Sequence, residues 1–385
     1  MKYLDRKNTF SVKWDFPEIL FGKKDLLPLW VADMDFECPF FVNNIIKDRA
    51  EHNLYGYSSM IDDPKTYFEP FIPWFKKYGL ELDSNRIFFI PGVVTGINFV
   101  IDTLTEVGDK VIIQPPVYTP FYSSIEGNKR VLVENRLILN DGSYSIDFNN
   151  LETQASSGAK LMILCSPHNP VGRVWTIDEL KRIVEICRKN EIILISDEIH
   201  CDLVYDEQKF VSTSSVADYD KIFTFFSPSK TFNVAGLKTA FGTSKNDILL
   251  KRVKERLETF HITTGSIQGM LIARACYEFG NEWYLDLMIQ LNKNRVIIRE
   301  FLDEKLPKAI YKLPESTYLA WVDFSNYTDD VEILNDRLLN VGKVFISPGS
   351  LYGEEEKRYY RINFGTSEEI LLDGLQRIVK SIESL

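Results

Sequence analysis

Six short, strongly apolar segments, each followed at once by polar or turn residues, constrain the fold of this chain more than any other feature. They are IFFI (87–90), VIIQ (111–114), LMILC (161–165), IILIS (192–196), IFTFF (222–226) and TAFG (239–242). Their apolar residues are nearly continuous, which is typical of strands covered on both faces by other elements. Helical patterns lie between several of them, at 95–106, 178–189 and 247–260. This alternation predicts an α/β fold with a mostly parallel central sheet.

The last hundred residues predict a smaller α/β unit. Helical patterns cover 282–305, 330–340 and 368–384, and strands are expected around 318–324 and at 359–364. A further segment, 66–78, has helical spacing but contains Pro70 and Pro73. Because proline breaks or kinks a helix, this segment is the least certain helix of the chain.

Composition and charge exclude several classes of function. The net charge is -10 with no basic block, which argues against nucleic acid as a partner. No charge-free apolar run reaches the roughly 18–20 residues of a membrane span, and the charged N-terminus does not resemble a signal peptide. The five cysteines are scattered without a CxxC pair, and the four histidines form no HExxH motif. We therefore expect a cytoplasmic protein with reduced thiols and no metal site.

Residues that could bind a ligand or take part in catalysis follow five of the predicted strands. They are Gly92, Val93 and Val94 after the first, Tyr118 after the second, Asn169 after the third, Asp197 and His200 after the fourth, and Ser227 and Lys230 after the fifth. Ligands of open α/β sheets collect at the carboxyl ends of the strands, so these residues are expected to converge.

Each of these residues also has an ordinary structural interpretation. Gly92 is typical of a turn, Tyr118 between prolines of loop packing, and Asn169 before Pro170 of a turn. Asp197 could cap a helix, and an isolated lysine such as Lys230 usually lies on the surface. The neighbours His200 and Cys201 are a poor nucleophile pair, because adjacent side chains rarely face each other. The functional interpretation depends on convergence at one sheet edge.

The combined set suits pyridoxal 5'-phosphate (PLP). This cofactor needs a lysine for its aldehyde and a carboxylate for its pyridine nitrogen, which Lys230 and Asp197 could supply. Its phosphate suits the helix N-terminus at Val93 and Val94, with Ser227 and the cation of Lys238. Tyr118 could stack on the ring, and Asn169 could bind its phenolic oxygen.

Several segments carry a family resemblance. SPHNPVGRVW, SDEIHCDLVY and SPSKTFNVAGLK resemble signature segments of the fold-type I PLP enzymes, the aspartate aminotransferase superfamily. Together with PLWVADMDF (28–36), they resemble the MalY/PatB group of cystathionine β-lyases, also called cysteine-S-conjugate β-lyases or C–S lyases. The likeness runs in order from about Trp30 to Arg361, nearly the whole chain.

The resemblance implies a role for each matching residue. Lys230 would form the Schiff base, Asp197 would bind the pyridinium, Tyr118 would stack on the ring and Asn169 would bind the O3' oxygen. His200 replaces the tyrosine of many relatives near O3'. Ser227 and Lys238 would bind phosphate, and Lys238 stands where many relatives have the forked side chain of arginine.

The resemblance also implies substrate and subunit contacts. Arg361, in YYRINFG, would clamp the substrate α-carboxylate, although an ordinary arginine at a strand edge is the alternative. Ala32 would line that carboxylate through its backbone. Tyr57, in YGYSS, would reach the phosphate of the neighbouring subunit in a homodimer with shared sites.

The activity implied is α,β-elimination from L-cystathionine or a related S-substituted L-cysteine, giving a thiol, pyruvate and ammonia. An aminotransferase is the first alternative, because both reactions begin with the same Cα deprotonation. The second alternative is a regulatory binding protein, which uses the fold as an interaction surface for a regulatory protein partner. The architecture expected is a large PLP domain at 46–285 between two parts of a small domain, 1–45 and 286–385.

Overall fold

The computed structural model of the protein describes residues 1–59 and 63–385. The strands, in chain order, are β1 (Leu27–Leu29), β2 (Phe88–Ile90), β3 (Lys110–Ile113), β4 (Val131–Glu134), β5 (Ile138–Asn140), β6 (Ser143–Ser145), β7 (Leu161–Cys165), β8 (Ile193–Asp197), β9 (Ile222–Phe226), β10 (Ala240–Ser244), β11 (Ile310–Tyr311), β12 (Leu319–Asp323), β13 (Val344–Pro348) and β14 (Tyr359–Asn363). The α-helices are α1 (Phe16–Phe21), α2 (Phe40–His52), α3 (Pro64–Phe68), α4 (Phe71–Lys76), α5 (Val93–Leu104), α6 (Pro120–Gly127), α7 (Phe148–Ser156), α8 (Ile177–Lys189), α9 (Pro228–Thr231), α10 (Asp247–Thr259), α11 (Ile267–Phe279), α12 (Asn281–Lys305), α13 (Val331–Arg337) and α14 (Glu368–Glu383).

A seven-stranded sheet in the order β2-β10-β9-β8-β7-β3-β4 forms the centre of the molecule. Six of these strands run in the same direction, and β10 runs antiparallel to both of its neighbours. Every residue of β7, β8 and β9 is buried, because helices cover both faces of the sheet. The predicted α/β fold with a mostly parallel sheet is confirmed.

Most of the predicted helices and strands begin and end within one or two residues of those in the structure. The predicted helix 330–340 differs, because α13 ends at Arg337 and a π turn, Leu338–Gly342, follows it. The proline-containing segment 66–78 forms two short helices, α3 and α4. Pro70 is the N-cap of α4 and Pro73 lies in its first turn, where a missing N–H is tolerated.

The reversed strand β10 brings an additional segment to the carboxyl edge of the sheet. Ala240, its first residue, pairs with Ile90, the last residue of β2. The beginning of β10 therefore lies where the other strands end. Lys238 and Thr239, which precede β10, are placed beside the residues that follow β2 and β9.

A second sheet, in the order β1-β13-β14-β12-β11, joins the two ends of the chain. Strand β1 pairs in parallel with β13, so residues 27–29 share a sheet with the C-terminal region. Both predicted domain boundaries, 45/46 and 285/286, fall inside helices, α2 and α12. The division into domains at those positions stays a prediction. Among the described helices, none is long and apolar enough to cross a membrane.

A buried ion pair fixes the N-terminal segment to the loop between β1 and α2. Lys13 Nζ lies 2.7 Å from Asp35 Oδ2, and neither side chain is exposed to solvent. The indole of Trp14 donates a hydrogen bond of 2.8 Å to Asp35 Oδ1, and Arg6 bridges Asp35 and Asp33. Since a buried charge is costly without its partner, these contacts tie the position of the loop to the N-terminal segment.

We predict that Asp35→Asn destabilises the protein by about 3–5 kcal/mol, because Lys13 then keeps a buried charge without an anionic partner. Urea denaturation followed by tryptophan fluorescence measures the change. Glu37→Gln is the matched control, since its ion pair with Lys2 is exposed and should contribute less than about 1 kcal/mol. Equal losses for the two variants would contradict the assignment.

Candidate active site

A cavity of about 230 Å³ opens at the carboxyl edge of the large sheet. Ten of the twelve residues predicted for the site line it: Ala32, Val93, Val94, Tyr118, Asn169, Asp197, His200, Ser227, Lys230 and Lys238. They come from the ends of β2, β3, β7, β8 and β9, from the start of β10, and from the loop after β1. The predicted convergence at one sheet edge is therefore present.

Lys230 projects from the single-turn helix α9 into the cavity. Its Nζ donates a hydrogen bond of 2.7 Å to the backbone oxygen of Ala32, and the hydroxyl of Tyr318 donates one of 2.8 Å to the same oxygen. Burial lowers the pKa of Lys230 to about 8, while the carboxylate of Asp33 opposes this shift. Near neutral pH the amine can therefore both hold and release a proton.

Asp197 is the last residue of β8 and is buried. Its Oδ1 accepts a hydrogen bond of 3.2 Å from the backbone N–H of Ile199, so it caps a turn and not a helix. Burial raises the pKa of Asp197 to about 6, opposed by that hydrogen bond and by the charge of Lys230. A cationic group bound in the cavity would keep this carboxylate ionised.

The N-terminus of α5 and the opposite loop form a cup suited to an anion. Gly92 is the N-cap of α5, and among the described residues no side chain caps the helix. Its φ of 150° is strained for any residue with a Cβ. Farther along the helix, a Cβ on Gly96 would meet Ile90 and Phe225 within 2.6 Å, so this glycine lets α5 lie close to the sheet. The cup is completed by Thr95, Ser227, Ser229, Lys238 and Thr239. Free helix N–H groups with a lysine and hydroxyls are typical of phosphate sites.

Arg361 reaches the cavity wall from the small sheet. One guanidinium nitrogen donates to Asn169 Oδ1 at 3.0 Å, and another donates to the backbone oxygen of Trp30 at 2.7 Å. Its Nε is buried and has no hydrogen-bond partner among the described residues. Because β14 lies between β13 and β12, Arg361 is on an interior strand, and the alternative of an arginine at a strand edge is wrong.

Tyr118 and His200 supply uncharged rings to the wall. Burial raises the pKa of Tyr118 to about 12, so its hydroxyl stays protonated. Burial, together with the charges of Lys230 and Arg361, holds the pKa of His200 well below its usual range. The imidazole is therefore neutral, and its ring and that of Tyr318 pack in a T-shaped arrangement with 6.2 Å between ring centroids. Burial also raises the pKa of the Cys201 thiol well above its usual range, so it is no nucleophile.

Tyr57 lies outside the cavity of its own chain. Its side chain is fully exposed in the segment between α2 and α3. Contact with a phosphate site would require a second subunit, and this role stays a prediction.

The sequence did not identify several residues of the site. Thr95 and Ser229 lie in segments that were predicted to reach the site, but neither was given a role of its own. Cys165, the last residue of β7, also lines the cavity. Tyr318 was missed for a different reason, because its contact with Ala32 joins residues that are 286 positions apart.

Comparisons with known proteins agree with this geometry. The sequence model of the family "Aminotransferase class I and II" matches residues 32–378. Cystathionine beta-lyase PatB of Bacillus subtilis is 39% identical over 380 residues, which cover 97% of each chain. Protein MalY of Escherichia coli is 33% identical over 390 residues, covering 100% of this chain and 98% of MalY.

Among solved structures, the PLP-bound C-S lyase of Staphylococcus hominis superimposes with a TM-score of 0.93 at 32% identity. The match covers 99% of this chain and 97% of the lyase. The fold, the order of the site segments and the full-length matches lead to one conclusion. The chain belongs to the aminotransferase class I and II family.

Proposed function

We propose that this protein is a PLP-dependent carbon–sulfur β-lyase that cleaves L-cystathionine or a related S-substituted L-cysteine to a thiol, pyruvate and ammonia. The observation that carries the proposal is the convergence of Lys230 and Asp197 on one cavity beside an anion cup. Full-length similarity to the cystathionine beta-lyase PatB and to a C-S lyase supports this reaction class.

The residues present fit PLP. The start of α5, with Ser227 and Lys238, would bind the phosphate, and Asp197 would bind the pyridine nitrogen. Tyr118 would lie against the ring, and Asn169 and His200 would lie near its phenolic oxygen. When bound, PLP supplies a protonated ring that accepts the electron pair left at the substrate Cα after deprotonation.

Lys230 is the proton carrier of the site. Its Nζ would take the proton from the substrate Cα, and a pKa near 8 makes that transfer accessible at neutral pH. The oxygen of Ala32 holds the ammonium that results, because it already accepts a hydrogen bond from Nζ. The ionised Asp197 would stabilise positive charge on the pyridine nitrogen of the cofactor.

Arg361 would bind and orient the substrate carboxylate. Asn169 and the Trp30 carbonyl hold its guanidinium from two sides, while the buried Nε keeps an unused donor. A carboxylate could pair with the guanidinium through two parallel hydrogen bonds. This would fix the Cα–H bond relative to Lys230 Nζ.

The aminotransferase alternative shares these contacts and differs in the later fate of the proton. Elimination requires the bond from Cβ to sulfur to break, so that the thiol leaves before the proton returns. An aminotransferase needs a 2-oxo acid as acceptor, whereas the lyase releases ammonia without one.

We also propose a homodimer with shared active sites, in the cytoplasm. The segment before Tyr57 exposes Leu54 and Tyr55 at 59% and 61%, and adjacent exposed apolar side chains are typical of an interface. The five cysteines, all within the described residues, are free thiols, as expected in a reducing compartment.

For Lys230→Ala, we predict loss of both the absorption band of lysine-linked PLP and the formation of pyruvate from L-cystathionine, because no amine remains to bind the aldehyde or carry the proton. Absorption spectra and a coupled pyruvate assay measure the two effects. Lys245→Ala is the control, since Lys245 is exposed and outside the cavity. A Lys230→Ala variant that still forms pyruvate at the wild-type rate would refute the assignment.

Subunit complementation tests the shared site. We expect Tyr57→Phe and Lys230→Ala homodimers to be weakly active or inactive, and a refolded equimolar mixture to regain about a quarter of wild-type activity. Each hybrid dimer then has one site with both Lys230 and the Tyr57 hydroxyl. Tyr55→Phe, which changes a neighbouring exposed tyrosine, should keep full activity. A mixture no more active than the sum of its parents would contradict the shared site.

A further inference from the structure

The turn that carries Lys230 is too short to hold itself in place. Helix α9 has four residues, Pro228–Thr231, and so small a helical segment is not stable without contacts to the rest of the protein. Ser227 fixes its beginning through a hydrogen bond of 2.7 Å to the backbone oxygen of Thr239. Asn233, beyond its end, bonds to the backbone of Met34 and Phe36. Thr231, the last residue of α9, directly follows Lys230.

Thr231 bonds to a carboxylate outside the cavity. It is fully buried, and its hydroxyl donates a hydrogen bond of 2.8 Å to Asp202 Oδ2. Asp202 lies five residues after Asp197, on the loop that also carries His200. This contact therefore joins the Lys230 turn to the loop after β8 through side chains alone.

The carboxylate of Asp202 is anchored by further donors on its other oxygen. Its side chain is 1% exposed, and Oδ1 accepts hydrogen bonds from Trp74 Nε1 at 2.9 Å and Tyr78 Oη at 2.6 Å. Lys77 Nζ lies 3.5 Å from the same oxygen and 3.7 Å from the centre of the Trp74 ring. Helix α4 and the residues after it thus hold Asp202 rigidly.

We propose that Asp202 is a positioning residue for Lys230 and acts through Thr231; the proposal rests on the function proposed above. One oxygen of the Asp202 carboxylate is held by α4 and the residues after it. The other oxygen accepts the hydrogen bond from Thr231 on the Lys230 turn. Hydrogen bonds to a buried carboxylate are stronger than those between neutral groups. Thr231, which is β-branched, also has few rotamers, so the bond restrains the backbone next to Lys230.

The physical need for this anchor follows from the length of the lysine side chain. Proton transfer requires Nζ to lie within about 3–3.5 Å of the substrate Cα. A displacement of Nζ by about 1 Å can lower the rate about a hundredfold. Lys230 has four rotatable side-chain bonds and one fixed contact, Ala32 O. Rotation of α9 would move Nζ away from that oxygen and from the cavity.

Matched hydroxyl deletions on the two sides of Asp202 test the proposal. Thr231→Val removes the bond to the Lys230 turn, whereas Tyr78→Phe removes a bond to the same carboxylate on the α4 side. We expect Thr231→Val to lower kcat and the exchange of the substrate Cα hydrogen with deuterated solvent by about ten- to a hundredfold, with KM within about twofold. Thr231→Ser, which keeps the hydroxyl, should stay near wild type.

A readout without substrate accompanies the kinetics. The pH midpoint of the absorption band of the lysine-linked cofactor should shift in Thr231→Val, because the environment of Nζ changes, and should not shift in Tyr78→Phe. Tyr78→Phe should lower the melting temperature and change kcat by less than about twofold, because Trp74 and Lys77 still hold Oδ1 of Asp202. If Thr231→Val does not fold, Thr231→Ala against Thr231→Ser gives the same comparison, since these differ by the hydroxyl.

Equal effects of Thr231→Val and Tyr78→Phe on kcat and exchange would overturn the proposal, as would unchanged exchange and an unshifted band in Thr231→Val. Exchange at Cα does not require cleavage of the carbon–sulfur bond. A wild-type protein that exchanges the Cα hydrogen but forms no pyruvate would therefore refute the lyase function while leaving the role of Asp202 to be decided by the same variants.

Discussion

The backbone oxygen of Ala32 is the point on which the site depends. It accepts hydrogen bonds from Lys230, at the edge of the large sheet, and from Tyr318, at the start of β12 in the small sheet. The loop around it is held in turn by Asn363 of β14, by Asn233 beyond α9 and by the buried Lys13–Asp35 pair. Both sheets and the N-terminal segment therefore set the position of one lysine.

Burial at this edge shifts the pKa values of the two key side chains, Lys230 and Asp197, in opposite directions. It lowers the pKa of Lys230 to about 8 and raises that of Asp197 to about 6, so each group is drawn toward its neutral form. A bound cofactor with a cationic ring nitrogen favours the ionised carboxylate, while the lysine remains able to release its proton. The same enclosure keeps His200 neutral beside Lys230 and Arg361. The enclosure thus favours the neutral forms of these side chains, although Lys230 and Asp197 would both be charged in neutral water.

Local patterns were enough to predict six of the seven strands of the large sheet and most of the residues that line the cavity at its edge. Continuous apolar runs such as those of β7 and β8 indicate burial on both faces, and residues after parallel strands must meet at one edge, so Asp197 and Lys230 could be placed together. Short elements were missed where the pattern is weak: β1 has three residues, and the edge strand β4 is only partly buried. The contacts of Tyr318 with Ala32 and of Thr231 with Asp202 depend on how the chain packs, which periodicity does not encode.

Product stoichiometry distinguishes a carbon–sulfur lyase from an aminotransferase. The cofactor-loaded protein is incubated with L-cystathionine without any 2-oxo acid, and pyruvate, ammonia and free thiol are measured over many turnovers. We expect the three products in equal amounts, because elimination releases each once per cycle. Absence of pyruvate, together with an oxo acid that retains sulfur and forms only when an acceptor is added, would contradict it and identify an aminotransferase.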